Sequence, residues 1–289
     1  MSKLYVPVVP LVAALESAGR AAARADHAQA ELLGIRVQLS TGSAGGLVIS
    51  ATDRYRAART RMPEHPALAG RGDGTGQTLV YRTSAADLVR ALKKSDSYTA
   101  TLKGRGQGAA LVEITDDGTL VVSTLPDQSD ASHAAAWHDA EKHPNLDQLF
   151  PDADTDLVQV TFSADLLSRL TRGLDLMRGH FGEKDMPVRL FFGDQGTEQC
   201  TITQSGREEE IAIKLTISAT PVALAGSSVS FRPSFLVDAI NTTGAGARDE
   251  VALWFSSARP AVFPVLFRRG DEDPRDDRYF GHLVVPVTF

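Results

Sequence analysis

The sequence VQVTFSADLLSRLTRGL (residues 158–174) joins an alternating apolar strand to an amphipathic helix, with a serine at the junction. Three other stretches have the same order of strand, then Ser, Thr or Pro, then helix. They are Leu4–Val6 into a helix around Leu11–Leu15, Leu79–Tyr81 into Ser84–Leu92, and Val229–Phe231 into Pro233–Ile240. The copies begin roughly 70 to 80 residues apart, a spacing typical of duplicated supersecondary units. The repeat predicts a symmetric scaffold, which favours binding over chemistry.

Length and composition restrict the class of protein. A chain of 289 residues with 43% hydrophobic and 23% charged residues is long enough for two globular domains. The net charge of −6 argues against a uniformly basic nucleic-acid binder, although it does not describe how charge is distributed. Cys200 is the only cysteine, so an intramolecular disulfide and a cysteine-based zinc site are excluded. Without a membrane-spanning apolar run or a secretory signal pattern, we expect a cytoplasmic protein with no membrane partner.

Strand patterns separate the four helices, and turn signals such as Asp116–Gly118 separate the strands. The alternating stretches are Gly34–Ser40, Leu47–Ala51, Ala109–Ile114, Leu120–Thr124, Val188–Phe192, Cys200–Gln204, Ile211–Leu215, Val251–Phe255 and Val262–Phe267. This order predicts an α+β fold with helices on one face of antiparallel sheets. The polar, alanine-rich stretch Pro126–His143 is the natural connector, which predicts two similar domains, 1–140 and 141–289, each with two helices.

The helix patterns predict their own ends and buried faces. Ser84 and Ser163 stand at N-cap positions, and Pro233 suits a first turn. The buried stripes are predicted to be Leu88, Val89 and Leu92 in the second helix, and Leu166, Leu170, Leu174 and Met177 in the third.

Basic residues lie opposite these stripes in three of the four helices. They are Arg20 and Arg24 in the first, Arg90, Lys93 and Lys94 in the second, and Arg169 and Arg172 in the third. For a single helix, a solvated charged face is the simpler interpretation. Three repeats in an acidic protein favour a surface that faces phosphate. The fourth helix breaks the pattern, since it carries Asp238 and no base.

Several local motifs resemble the bacterial DNA polymerase III β subunit, a DNA sliding clamp. The stretch 46–56 is similar to the Ala-Thr-Asp-Gly-His-Arg turn of that family's middle domain, and 143–151 is similar to the connector that introduces its last domain. Residues 231–240 resemble the entry to that domain's second helix, and 283–289 resemble the family's terminal Val-Met-Pro-Met-Arg-Leu. The chain is therefore identified as similar to the second and third domains of a β clamp, a two-domain form that a phage could encode.

The resemblance implies the DNA-clamp (processivity) fold and a non-enzymatic function. Such a protein would encircle double-stranded DNA without sequence preference and tether DNA polymerase and clamp loader through short apolar peptides, with no cofactor or metal. If six domains are needed to encircle a duplex, two domains per chain imply a head-to-tail homotrimer.

The resemblance also implies a partner-peptide site between the two domains. Carried over by motif, it comprises Leu32, Thr52, Arg54, Tyr55, Arg56, Ala57, Pro144, Gln148, Leu149, Phe235, Val262, Pro264, Val285, Pro286 and Val287. Arg54 and Tyr55 replace the family's Gly-His, Ala57 a Leu, Arg232 an Asn and Val287 a Met. We expect an altered pocket shape and a different preferred peptide.

Other patterns favour different functions less strongly. His133, His138 and His143 recur every five residues, which does not place them on one helical face for metal binding. The segment Gly70–Gly76 lacks the Gly-Lys-Ser/Thr ending of a phosphate loop and is predicted to be a flexible hairpin tip. A nuclease could use the acidic cluster Asp271, Glu272, Asp273, Asp276 and Asp277, although a solvated loop is the simpler interpretation. A clamp-fold accessory protein that binds peptides without closing a ring remains the main alternative.

Overall fold

The computed structural model describes residues 1–24, 29–41, 45–125, 131–151, 155–181, 186–205, 210–246, 248–276 and 281–286. These form two compact units, one comprising Met1–Leu146 and the other the described residues from Asp147 onward.

The first unit contains two copies of the strand–helix–strands repeat. Its elements are β1 (Ser2–Pro7), α1 (Val8–Ala21), β2 (Gly34–Ser40), β3 (Gly46–Thr52), β4 (Arg56–Met62), β5 (Thr75–Tyr81), α2 (Arg82–Lys94), α3 (Asp96–Leu102), β6 (Ala109–Ile114), β7 (Leu120–Thr124), β8 (Ser132–Ala134) and β9 (Ala136–His138).

The second unit repeats the same order. Its elements are β10 (Leu157–Ser163), α4 (Ala164–Phe181), β11 (Val188–Phe192), β12 (Gln199–Ser205), β13 (Glu210–Thr216), β14 (Ser228–Phe231), α5 (Pro233–Thr242), β15 (Glu250–Ser256), β16 (Val265–Arg269) and β17 (Gly281–Val284).

In both units each repeat contributes its first strand to the other repeat's sheet. The first unit has antiparallel strand orders β1-β6-β7-β8 and β4-β3-β2-β5-β9. The second has β10-β15-β16-β17 and β13-β12-β11-β14. One repeat alone would therefore leave each sheet without a strand. The predicted α+β class and the four-copy repeat are confirmed.

Two separate cores stabilise the units. The first is aliphatic, with Leu4, Leu11, Leu15, Ile35 and Leu47 all buried. The second is built around phenylalanines. Phe192 packs edge-to-face on Phe255 at 5.6 Å between ring centroids, and Phe231 on Phe267 at 5.9 Å. Edge-to-face pairs bring the positive ring edge to the negative ring face, which adds to the stabilisation from burial.

The helix ends agree with the sequence in part. Ser163 Oγ accepts a hydrogen bond from the Leu166 amide at 3.4 Å, so the predicted N-cap of α4 is confirmed. Ser84 is not an N-cap, because α2 begins directly after Tyr81 at the end of β5. Helix α3, which Ser95 caps through the Tyr98 amide at 3.2 Å, was not predicted from the sequence. Its first four residues are Asp-Ser-Tyr-Thr, which gave no apolar helical period.

The buried face of α4 differs from the predicted leucine stripe. Leu167 and Thr171 are fully buried, whereas Leu166 is 40% exposed. Thr171 Oγ1 donates to the Leu167 carbonyl at 2.8 Å, which satisfies the hydroxyl inside the core. A prediction that counts only apolar residues misses such a position. The side chains of Leu174 and Met177 lie outside the described residues.

The stretch predicted as a connector contains β8 and β9, which extend both sheets of the first unit. Trp137 in β9 lies 4.4 Å from Tyr81 between ring centroids, and its Nε1 donates to the Ala30 carbonyl at 2.9 Å. Three-residue strands in an alanine- and histidine-rich segment have no apolar alternation to reveal them. Residues 126–130 of this stretch lie outside the described residues.

The glycine-rich segment Gly70–Gly76 is not a free hairpin tip. Lys3 in β1 and Asp73 exchange two backbone hydrogen bonds, each 2.9 Å long. A side chain at Gly76 would meet the Ser2 hydroxyl at 3.0 Å, so the glycine allows this close approach.

Farther along the chain, β16 begins at Val265, and the predicted start at Val262 falls in a turn. None of the described helices is both long and apolar enough to cross a membrane.

Candidate nucleic-acid interface and peptide site

All the candidate phosphate-contacting residues except Arg24 lie on paired helices. In the first unit α1 packs beside α2, and Lys93 Nζ lies 2.7 Å from Glu16 Oε1 across the pair. In the second unit α4 packs beside α5, and Arg172 Nη2 donates to Asn241 Oδ1 at 3.4 Å. Both units therefore present a two-helix surface that carries bases.

Most of the predicted bases are accessible. Arg90, Lys93, Lys94, Arg169 and Arg172 are exposed on their helices, and Arg20 in the last turn of α1 is half-buried.

Arg24 is exposed but does not share a helical face with Arg20, because α1 ends at Ala21. Ala22 is extended, and the Ala23 amide donates to the Leu32 carbonyl at 2.9 Å. Both alanines are buried, so packing turns the chain where helix propensity alone would continue it.

Acidic neighbours neutralise part of this basic surface. Arg90 pairs with Asp87, and Arg169 pairs with Asp165 at 2.7 Å. Lys93 pairs with Glu16, as described above, whereas Lys94 is exposed and forms no ion pair with another described residue. Exposed pairs contribute about 0–1 kcal/mol, so phosphate could displace the carboxylates. The positive electrostatic potential of this helix surface is nevertheless weaker than the number of its basic residues indicates.

A hydrogen-bonded turn between β3 and β4 holds most of the first-unit peptide candidates. The Asp53 carboxylate accepts from the amides of Tyr55 and Arg56, both at 3.1 Å, and from Arg56 Nε at 2.8 Å. Thr52 Oγ1 donates to the Arg56 carbonyl at 2.7 Å and accepts from the Arg54 amide at 3.1 Å. The turn is therefore rigid, and it presents Arg54 and Tyr55 to solvent.

Arg54 has φ +80°, the left-handed conformation in which the resembled family has glycine. Arg54→Gly is expected to raise the free energy of unfolding of the first unit by up to about 1 kcal/mol. The substitution relieves the backbone strain of the positive φ, and this gain exceeds the cost of ordering a glycine, which loses more conformational entropy on folding. Urea unfolding of the two proteins measures this difference. Arg54→Ala keeps a Cβ in the same strained conformation and serves as the control; equal stabilisation by both substitutions would contradict this account.

The remaining first-unit candidates differ in accessibility. Leu32 and Ala57 are each 2% exposed, so they offer little surface to a peptide. Tyr55 is 50% exposed, and Pro144 is also exposed. Burial lowers the pKa of His143, which precedes Pro144, to about 4. Its ring is therefore neutral at pH 7, and Nδ1 lies 3.1 Å from the Pro144 carbonyl.

The second-unit candidates include several exposed apolar side chains. Leu149 is 48% and Val262 59% exposed, and the adjacent Phe263, which the sequence analysis did not select, is 48% exposed. Phe235 in α5 is half-buried beneath the Arg232 guanidinium, whose carbon lies 5.4 Å from the ring centroid. Such a contact is a cation–π interaction. Of the other candidates, Gln148 is exposed, Pro264 and Val285 are half-buried, Pro286 is buried, and Val287 lies outside the described residues.

The residues considered for enzymatic functions have other roles. Among the described residues, no three His, Cys, Asp or Glu side chains are placed to hold a metal ion. Glu272 Oε2 accepts from the Arg269 amide at 3.3 Å, and burial raises the pKa of its carboxyl. Asp273 caps the Arg275 amide at 2.9 Å. Burial raises the pKa of the Cys200 thiol to about 12, which leaves it un-ionised.

This architecture of repeated units, with paired helices and antiparallel sheets, is the sliding-clamp fold. The chain is similar to the β subunit of DNA polymerase of Streptococcus pyogenes (TM-score 0.75, 15% identity, covering 100% of this chain and 66% of that one). It is also similar to the DNA polymerase sliding clamps of Pseudomonas aeruginosa (TM-score 0.72, 16% identity, 100% and 67%) and Bacillus subtilis (TM-score 0.72, 17% identity, 99% and 64%). The chain spans about two thirds of the length of these structures. No protein-family model matches the sequence, and no curated protein is detectably similar to it.

Proposed function

We propose that the protein is a DNA sliding clamp, a processivity factor that encircles double-stranded DNA and tethers replication proteins in the cytoplasm. The observation that carries this proposal is the four-unit repeat, which matches clamp structures over the whole chain. A ring retains DNA by topology, so its phosphate contacts can be few, exposed and independent of sequence. The bases on α1, α2 and α4 meet that need. Clamping is a binding function, and no catalytic step is proposed.

Two edge strands support assembly into a head-to-tail homotrimer. Among the described partners within its own unit, β8 pairs only with β7, and β13 only with β12. Antiparallel pairing of β13 in one copy with β8 in the next would be a heterologous contact that can close into a ring. Three copies of a two-domain chain supply the six domains of the proposed ring. We propose domain limits of 1–140 and 141–289.

The exposed residues of the β3–β4 turn in the first unit are proposed contacts for partner peptides of a polymerase and a clamp loader, and so, separately, are the exposed apolar residues of the second unit. Tyr55, Leu149 and Val262 would supply apolar contact, whereas Leu32 and Ala57 are buried. An apolar surface with a few polar groups suits a short peptide.

The test combines mass in solution with retention on DNA. Light scattering is expected to give three times the 30.9 kDa mass of one chain. Protein loaded on a closed circular duplex should remain bound at high salt and be released when the circle is cut. The variant Arg24→Ala/Lys94→Ala/Arg172→Ala should keep the trimer mass but lose retention roughly tenfold, since each phosphate contact adds to affinity.

A variant with the same change of charge, Arg71→Ala/Arg105→Ala/Lys142→Ala, is the control for retention. Equal loss in both variants would contradict a phosphate-facing role for the helices. The ion pairs on those helices favour one alternative, a peptide-binding accessory protein that closes no ring. A monomer that binds partner peptides but is not retained on circular DNA would establish that alternative.

A further inference from the structure

The two strand edges proposed to pair between copies each lie beside a helix. In the first unit α2 packs against β7 and β8. In the second unit the end of β10 lies beside the end of β13, because Phe162 and Ile217 form an antiparallel bridge and the Ser218 amide donates to the Thr161 carbonyl at 3.2 Å. Helix α4 begins two residues after Phe162, so its first turn lies close to the end of β13.

A hollow of about 290 Å³ lies at the start of β8. The last turn of α2 lines it through Ala91, the end of β7 through Thr124, and β8 itself through Ser132. On α2, Ala91 and Lys93 lie on opposite flanks of the buried Leu92, each about 100° from it. Lys93 pairs with a carboxylate of α1, so the flank with Ala91 faces away from α1. The hollow therefore opens on the outer side of this helix pair, next to the edge of β8.

The first turn of α4 carries an exposed apolar side chain on the corresponding flank. Leu166 is 40% exposed, and it lies about 100° around the helix from the buried Leu167. Arg172 lies about 140° from Leu167 in the other direction, and it donates to Asn241 of α5. Leu166 therefore faces away from α5, just as Ala91 faces away from α1.

Antiparallel pairing of the two edges would bring these flanks together. It places the start of β8, where the hollow lies, opposite the end of β13 in the next copy, where α4 begins. Each edge strand is the third strand after its helix in the same repeat, so the core faces of the two sheets would point the same way. Leu88 of α2 shares a core with Val122, and Leu167 of α4 shares one with Ile202. The two helices would therefore be neighbours on one side of the joined sheet.

We propose that Leu166 of one copy inserts into the hollow of the next copy and stabilises the interface between them. The inference rests on the proposed ring and names a side chain that holds neighbouring copies together. Burial of a leucine side chain contributes free energy in proportion to the apolar area that leaves water. The contact is heterologous, because each copy offers Leu166 from its second unit and the hollow from its first.

The experiment measures the mass of the full-length protein and of two variants by light scattering. Leu166→Asp would place a carboxylate in the hollow, and Ala91→Arg would fill the hollow with a longer side chain. Each is expected to weaken association at least about tenfold and to lower the mass toward the 30.9 kDa of one chain. Leu102→Asp is the matched control, since it changes a leucine of α3 that is 62% exposed, and it should leave the mass unchanged. Circular dichroism checks that the variants fold.

A mixture of the two variants tests the head-to-tail arrangement. The Ala91→Arg protein keeps Leu166, and the Leu166→Asp protein keeps the hollow, so one intact contact can form between them. No third copy can join, because the remaining leucine position and the remaining hollow are both altered. At the same total concentration, the mixture should give pairs of chains, whereas each variant alone should give single chains.

Three results would overturn this contact and leave the proposed clamp standing. They are a wild-type trimer whose mass neither variant changes, as expected if the hollow receives a side chain of another protein, equal weakening by Leu102→Asp, or a mixture no larger than the separate variants. A wild-type monomer would instead contradict the ring itself, and the contact with it.

Discussion

Asp53→Ala is expected to destabilise the first unit by about 3–4 kcal/mol, because it removes a carboxylate that pairs with a buried arginine. The Arg56 side chain is 3% exposed and that of Asp53 12%, and their ion pair is 2.8 Å long. The substitution also removes the acceptor for the Tyr55 and Arg56 amides at the start of β4. The measurement is the free energy of unfolding from urea titrations.

Asp53→Asn is the matched control for this prediction. Its amide oxygen can still accept from the Tyr55 amide, but the charge that pairs with Arg56 is lost. We therefore expect Asp53→Asn to lower the free energy of unfolding, but by less than Asp53→Ala does. The turn also carries the proposed peptide contacts, so Asp53→Ala should weaken peptide binding to the extent that it disorders the turn. Losses below 1 kcal/mol for both variants would show that Asp53 does not hold the turn together.

Most of the fold was predictable because its signals are local and strong. The strand Val188–Phe192 alternates buried and exposed side chains, and Ala109–Ile114 is a short, largely apolar run; both occur in the structure with the predicted bounds. The failures occur where tertiary contacts override local preference. The alanine run after Gly19 favours helix, but burial of Ala22 and Ala23 ends α1 and separates Arg24 from it.

The candidate sites were predictable only as residue types. Charge repeated on helix faces could be read from the sequence, and the carboxylates that pair with Arg90 and Arg169 stand three and four residues away on the same helix. The partner of Lys93 could not be assigned, because Glu16 lies on a different helix. Motif transfer likewise does not distinguish contact from support. Tyr55 and Ala57 come from the same motif, but one is exposed and the other is buried.

The protein is expected to lose about 3 kcal/mol of stability in its first unit through His143 as the pH falls from 6.5 to 4. His143 is 3% exposed, and burial lowers its pKa from 6.5 to about 4 in the folded state. The unfolded chain therefore binds a proton that the folded chain rejects throughout this interval. The contribution is fully present above pH 6.5 and decreases by about 1.4 kcal/mol per pH unit below it.

His143→Asn separates this effect from the titration of carboxylates. The asparagine amide can donate to the Pro144 carbonyl as Nδ1–H does, but it carries no titrating base. Urea unfolding at pH 7 and pH 4.5 in a Trp254→Phe background leaves Trp137, in the first unit, as the fluorescent reporter. Between these pH values, the Trp254→Phe protein that keeps His143 should lose about 2–3 kcal/mol more of its free energy of unfolding than the protein that also carries His143→Asn. Because the comparison is of changes with pH, any constant cost of the smaller side chain cancels. Equal losses in the two proteins would mean that His143 becomes protonated without unfolding, and hence that its ring reaches water in the folded state.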